Sequence, residues 1–121
     1  GWQVQQAFEE PVVLTPGESI VIGVSEDITE QRLTLVGGVG ELERFTVTDA
    51  PVAATSSVVD GDAGDACLDA LEVAPDQTEV ALPIDGRSVC TFIGPGQVGV
   101  IGIQSIEFDR VTVTMDVWTT G

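Results

Sequence analysis

At 121 residues the chain is long enough for one domain with a single core and too short for two comfortable ones. Twenty acidic residues against four arginines, with no lysine and no histidine, give a formal net charge of −16 at pH 7. That balance argues against nucleic acid and anionic lipid as partners, since both would be repelled. The missing residue types exclude a Ser-His triad, a Schiff-base lysine, a Ser-Lys dyad and a Walker lysine.

Self-repulsion of this size destabilises a compact state at moderate ionic strength and is relieved near molar salt, where the Debye length is about 3 Å. A halophilic source, cell or virus, is therefore expected ahead of an acidic protein from a GC-rich bacterium. Hydropathy points away from charge: the mean hydropathy is +0.28 although 20% of residues are charged. The surplus of Val, Ile, Leu and Ala either fills a β core or leaves apolar surface for copies of the chain or a partner to cover. No stretch reaches the roughly 20 apolar residues of a membrane-spanning helix. The opening Gly1-Trp2-Gln3-Val4 carries no targeting signal and reads as a mature end.

The periodicity is β nearly throughout. Trp2, Val4, Gln6 and Phe8 alternate with Gln3 and Gln5, which predicts a strand with one buried face. The stretch PVVLTPGESIVIGVS then supplies an apolar run, a turn at Pro16-Gly17, and Ile20, Ile22 and Val24 on one face. Within it, LTPGESIVI resembles the paired opening strands of immunoglobulin-like modules, which implies a sandwich. RLTLV and ELERFTVTD are the next predicted strands. Residues 49–65, rich in Ala, Ser, Gly and Asp, read as a long acidic connection. After it, DACLDALEV predicts a turn or two of helix, capped by Asp65 and carrying Cys67, Leu68 and Leu71 inward.

Farther along, Thr78 to Ile84 and Arg87 to Ile93 flank Asp85-Gly86, a pair suited to a type I′ turn, and together predict a hairpin. From Gln97 to Ile103 both faces are apolar with Gly99 and Gly102 interspersed, as in a strand covered on both sides or approached closely by other backbone. The last segment sets Val111, Val113, Met115 and Val117 against Thr112, Thr114 and Asp116, with Trp118 on the polar face as a docking candidate. About eight strands at short spacing, with one short helical turn, predict an all-β antiparallel sandwich of immunoglobulin-like or jelly-roll type, forming a single domain over 1–121.

The densest cluster of potential ligands is DGDAGDACLD, residues 60–69. Read as a calcium loop from Asp60, it places Asp62, Gly64 and Asp65 at positions 3, 5 and 6 and Leu71 at 12, so two ligand positions are missing. A looser Ca²⁺ site using Asp60, Asp62 and Asp65 is the one cofactor the residues suggest; a solvated acidic loop is the simpler expectation. Cys67 and Cys90 are better read as a disulfide, closing a loop of about 22 residues for roughly 3 kcal/mol of stabilisation. Such a bond implies an extracellular, cell-surface or virion setting. GPGQVG matches the dinucleotide-binding string, but a strand follows where that motif needs a helix, so a hairpin turn is expected. The pairs Glu41/Glu43 and Glu107/Asp109 read as charged outer faces of strands, and no catalytic residue is assigned. With no Asn there is no N-glycosylation site, and with no Lys no isopeptide bond.

These observations lead to a non-enzymatic structural subunit that self-assembles, as a capsid or decoration protein of a virion or a cell-surface filament subunit. Its expected partners are copies of itself or other structural subunits. Residues 1–8 are the expected docking strand, with Trp2, Val4, Phe8 and Trp118 as contacts. The alternative is a monomeric extracellular immunoglobulin-like module that uses the Asp-rich loop to bind Ca²⁺ or another ligand.

Overall fold

In the computed structural model the described residues are 2–24, 30–37, 43–48, 50–56, 63–73, 76–81, 87–94, 96–107 and 110–120. They form β1 (Trp2–Gln6), β2 (Val12–Leu14), β3 (Ser19–Val24), β4 (Glu30–Val36), β5 (Arg44–Val47), β6 (Val52–Ser56), α1 (Ala63–Val73), β7 (Glu79–Ala81), β8 (Arg87–Gly94), β9 (Gln97–Glu107) and β10 (Arg110–Thr120). The strands make two antiparallel sheets, one in the order β1-β10-β9-β8-β6 with β2 also paired to β10, the other β3-β4-β5-β7. The expected all-β sandwich is the fold the chain adopts, and α1 adds a third layer.

Period-two alternation builds the first core, between the sheets. Leu33 and Leu35 of β4, Phe45 and Val47 of β5 and Val80 of β7 meet Val89, Ile101, Val111, Val113 and Met115. Burying each of these side chains contributes about 1.5–3 kcal/mol. The outer face of the first sheet carries a second core, in which Cys67 and Leu71 of α1 cover Ala53, Cys90, Val98 and Val100. Strands β8 and β9 are therefore apolar on both faces, as the pattern from Gln97 to Ile103 predicts.

Four expectations are corrected. Thr78–Ile84 and Arg87–Ile93 do not form a hairpin: β7 pairs with β5 in one sheet, while β8 lies between β6 and β9 in the other. Both edges of β8 are taken, one by β6 and the other by β9, so tertiary pairing overrides the local turn signal; Asp85 and Gly86 lie outside the described residues. The connection 49–65 contains β6, whose small Ala53 leaves room for α1 to lie close. The helix starts at Ala63 and runs 11 residues, about three turns, because Cys67 and Leu71 both find buried partners. Finally, the expected buried face of β1 is absent over Gln3–Gln6, whose side chains are all exposed, because neither core includes them.

The corner between β2 and β3 switches the chain from one sheet to the other. Gly17 adopts φ 93° there, a conformation that suits glycine. The Thr15 hydroxyl and amide both donate to the Glu18 carboxylate and hold its pKa below the ordinary value. That stabilisation is present above the carboxyl's unfolded-state pKa and is lost as pH falls through the lower folded value.

One point of close approach ties the two sheets together. Gln31 of β4 donates from Nε2 to the Phe92 carbonyl at 3.0 Å, across the sandwich. Beside it, Ile93 fills the hollow left by two glycines: a Cβ on Gly23 would fall 2.8 Å from Ile93 Cγ2, and one on Gly99 would fall 3.0 Å from its Cδ1. Both β3 and β8 shift register here, between Val21 and Gly23 and between Phe92 and Gly94. Gly23→Ala is therefore expected to destabilise the fold by about 1–3 kcal/mol through overpacking, read as a lower urea midpoint with an unchanged m value.

Candidate functional site

The edges of the two sheets differ in how they are protected. Unpaired strand edges invite pairing with other chains, and proteins blunt them with charge, proline, bulges, shortness or a cover. On the second sheet, β3 carries a bulge and β7 is three residues long, with Glu79 held 3.2 Å from Arg44. On the first sheet, β6 lies under α1, and its Val52 amide donates to the Gln77 carbonyl at 2.9 Å. At the opposite edge, β2 is three residues long and sits between Pro11 and Pro16.

Strand β1 has none of these devices. Trp2-Gln3-Val4-Gln5-Gln6 contains no charge, proline or glycine, and its register with β10 runs unbroken from Trp2↔Thr120 to Gln6↔Asp116. In a chain of net charge −16 it is an uncharged edge. The edge continues as β2 after an interruption in which Ala7 donates to the Met115 carbonyl at 2.9 Å. There Phe8 leaves the edge to pack against the inter-sheet core, and Glu9, Glu10 and Pro11 follow it, all exposed. The acidic, proline-bearing part of this edge thus begins where β1 ends.

Cross-strand register links β1 to the second core. Phe92 pairs with Val98, Val98 with Trp118, and Trp118 with Val4, an apolar row across β8, β9, β10 and β1. Burial falls along it: Val98 is 1% exposed, Trp118 is half-buried against the core under α1, and Val4 is 51% exposed. The polar face expected around Trp118 is therefore the face the helix covers. Of the four expected contacts, Val4 and Trp118 come together, Phe8 sits in the other core, and Trp2 is at the far end of β1. Sequence reading missed this row because its members lie on four separate strands.

Tethering of α1 to the first sheet comes from Cys67–Cys90, with a Cα–Cα distance of 5.4 Å and both residues fully buried. The expected disulfide is present. Gly94 pairs with Gln97, and Gly96 adopts φ 71°, so GPGQVG is the expected hairpin turn between β8 and β9.

Among the described acidic side chains, all are exposed except Glu43, which is partly buried. Asp60 and Asp62 lie outside the described residues, as do Glu41 and Asp109; Asp65 is exposed in the first turn of α1, where a carboxylate suits the helix dipole. Among the described residues no group of three His, Cys, Asp or Glu side chains is placed to hold a metal ion. Glu107 sits 2.6 Å from Arg110 and Glu30 2.8 Å from Arg32, exposed pairs that contribute little. Among the described residues no helix is long and apolar enough to cross a membrane.

Removing the disulfide by Cys67→Ala with Cys90→Ala is expected to cost about 3 kcal/mol for a separation of 23 residues. Urea titration measures the loss, and amide exchange should rise in α1 before it rises in β4, β5 or β10. Comparison of the chain with protein-family models, with curated proteins and with solved structures finds no match in any of the three.

Proposed function

We propose that this chain is a non-enzymatic structural subunit of an extracellular assembly, a virion shell or decoration or a cell-surface filament, held together by contacts between subunits. The observation that carries this reading is the unprotected edge of β1. Every other described sheet edge is bulged, short, charged, proline-flanked or covered, whereas β1 is an unbroken, uncharged strand with Val4 half-exposed beside Trp118. A disulfide that staples the helix to the sheet fits an oxidising compartment outside the cell. The lack of histidine and lysine favours a structural over a catalytic role.

The −16 charge sets the condition for assembly. Subunits of one sign repel until counterions screen them, so contact forms most readily at high ionic strength, consistent with a halophilic setting. Light scattering with negative-stain imaging from about 0.1 M to 3 M salt is expected to show a monomer at the low end and ordered particles or filaments at the high end. Removing residues 1–6, while keeping the core residue Phe8, should abolish the assembly and leave a folded monomer. A monomer at every salt and protein concentration would refute the reading.

A further inference from the structure

The backbone of β1 specifies more than an open edge. The Ala7 amide donates inward to Met115, and the alternation of an antiparallel ladder then turns the amide and carbonyl groups of Gln3 and Gln5 inward as well. The same alternation aims those of Trp2, Val4 and Gln6 at the outer edge, where no strand lies among the described residues. Val4 is at the middle of the five-residue strand.

We infer that the partner taken up by this edge is a second copy of β1, paired antiparallel about a two-fold axis through Val4. The inference rests on the self-assembling reading above and names its contact. Three observations favour a copy over a foreign strand. The strand is self-complementary: a two-fold at Val4 places Val4 opposite Val4, Gln3 opposite Gln5 and Trp2 opposite Gln6, and each glutamine amide both donates and accepts. It also lacks the carboxylates that would select a basic partner, and it brings two −16 chains together through a segment with no charge of its own. Finally, the apolar row Phe92, Val98, Trp118, Val4 stops half-covered at the edge, and the two-fold joins it to its own copy in one continuous row across eight strands.

A cysteine at the axis tests this pairing directly. Both native cysteines are buried in their disulfide, so Val4→Cys supplies a single accessible thiol. Hydrogen-bonded antiparallel partners have Cα atoms about 5.5 Å apart, within the range a disulfide spans. Under mild oxidation at high salt, Val4→Cys is expected to form a covalent dimer at least about tenfold faster than Ser105→Cys, an exposed position on β9, because pairing raises the local thiol concentration. Val4→Pro is the complementary variant. Its missing amide points outward, so the β1–β10 ladder is kept, the melting temperature should hold within a few degrees, and assembly should be lost.

Equal cross-linking rates for the two cysteine variants, or assembly of Val4→Pro at native levels, would overturn the two-fold pairing. If the native chain still formed ordered particles, the structural-subunit reading would survive that result and another surface would be responsible. A native chain that stays monomeric at every salt, together with no cross-link at position 4, would overturn both.

Discussion

Burial of β8 and β9 on both faces is the constraint on which the rest of the molecule depends. One face meets the second sheet through Val89, Ile93 and Ile101, and the other meets α1 through Cys90, Val98 and Val100. A strand pair buried on both sides needs close approach by both neighbours. Gly99 supplies it on one face, under Ile93 and Met115, and small Ala53 supplies it on the other, beneath the helix. The Cys67–Cys90 bond then fixes the one element that would otherwise rest on a modest apolar patch. An 11-residue helix is marginal alone, so its persistence is a property of the sheet beneath it.

With its centre anchored this way, the first sheet can leave one end exposed. Strand β10 is 11 residues long and carries two successive edge segments, β1 and β2, separated by the excursion of Phe8 into the core. That excursion divides the edge chemically. The β2 half is short, proline-flanked and preceded by Glu9 and Glu10; the β1 half is neutral and regular. Phe8 thus anchors the edge from within and separates its protected part from its open part.

Charge acts on this design from outside. Arg32, Arg44 and Arg110 each lie within 3.2 Å of a glutamate, in pairs too exposed to add much stability. The net charge of −16 favours separation of copies at low ionic strength. In the proposed assembly, a neutral edge on an acidic body would make association responsive to salt, because screening weakens the repulsion while leaving backbone hydrogen bonding and apolar contact in place. The same charge disfavours unspecific association through the other faces.

Much of the fold was legible in the sequence because period-two alternation is a local signal: β3, β4, β5, β8, β9 and β10 all follow from which residues alternate. The disulfide was legible because the chain has two cysteines and no other use for them, and the neutral character of Trp2 to Phe8 was visible from composition alone. What local pattern does not carry is which strand pairs with which. The Asp85-Gly86 pair signals a hairpin, yet β7 and β8 part into different sheets, because both edges of β8 are already paired, with β6 and with β9. Ala53 looks like a loop residue until a helix needs a small side chain beneath it, and Trp118 looks exposed until register sets it beside Val98. The row that ends at Val4 exists only after four strands are aligned, so the tertiary structure, through register and burial, decided where the candidate site lies.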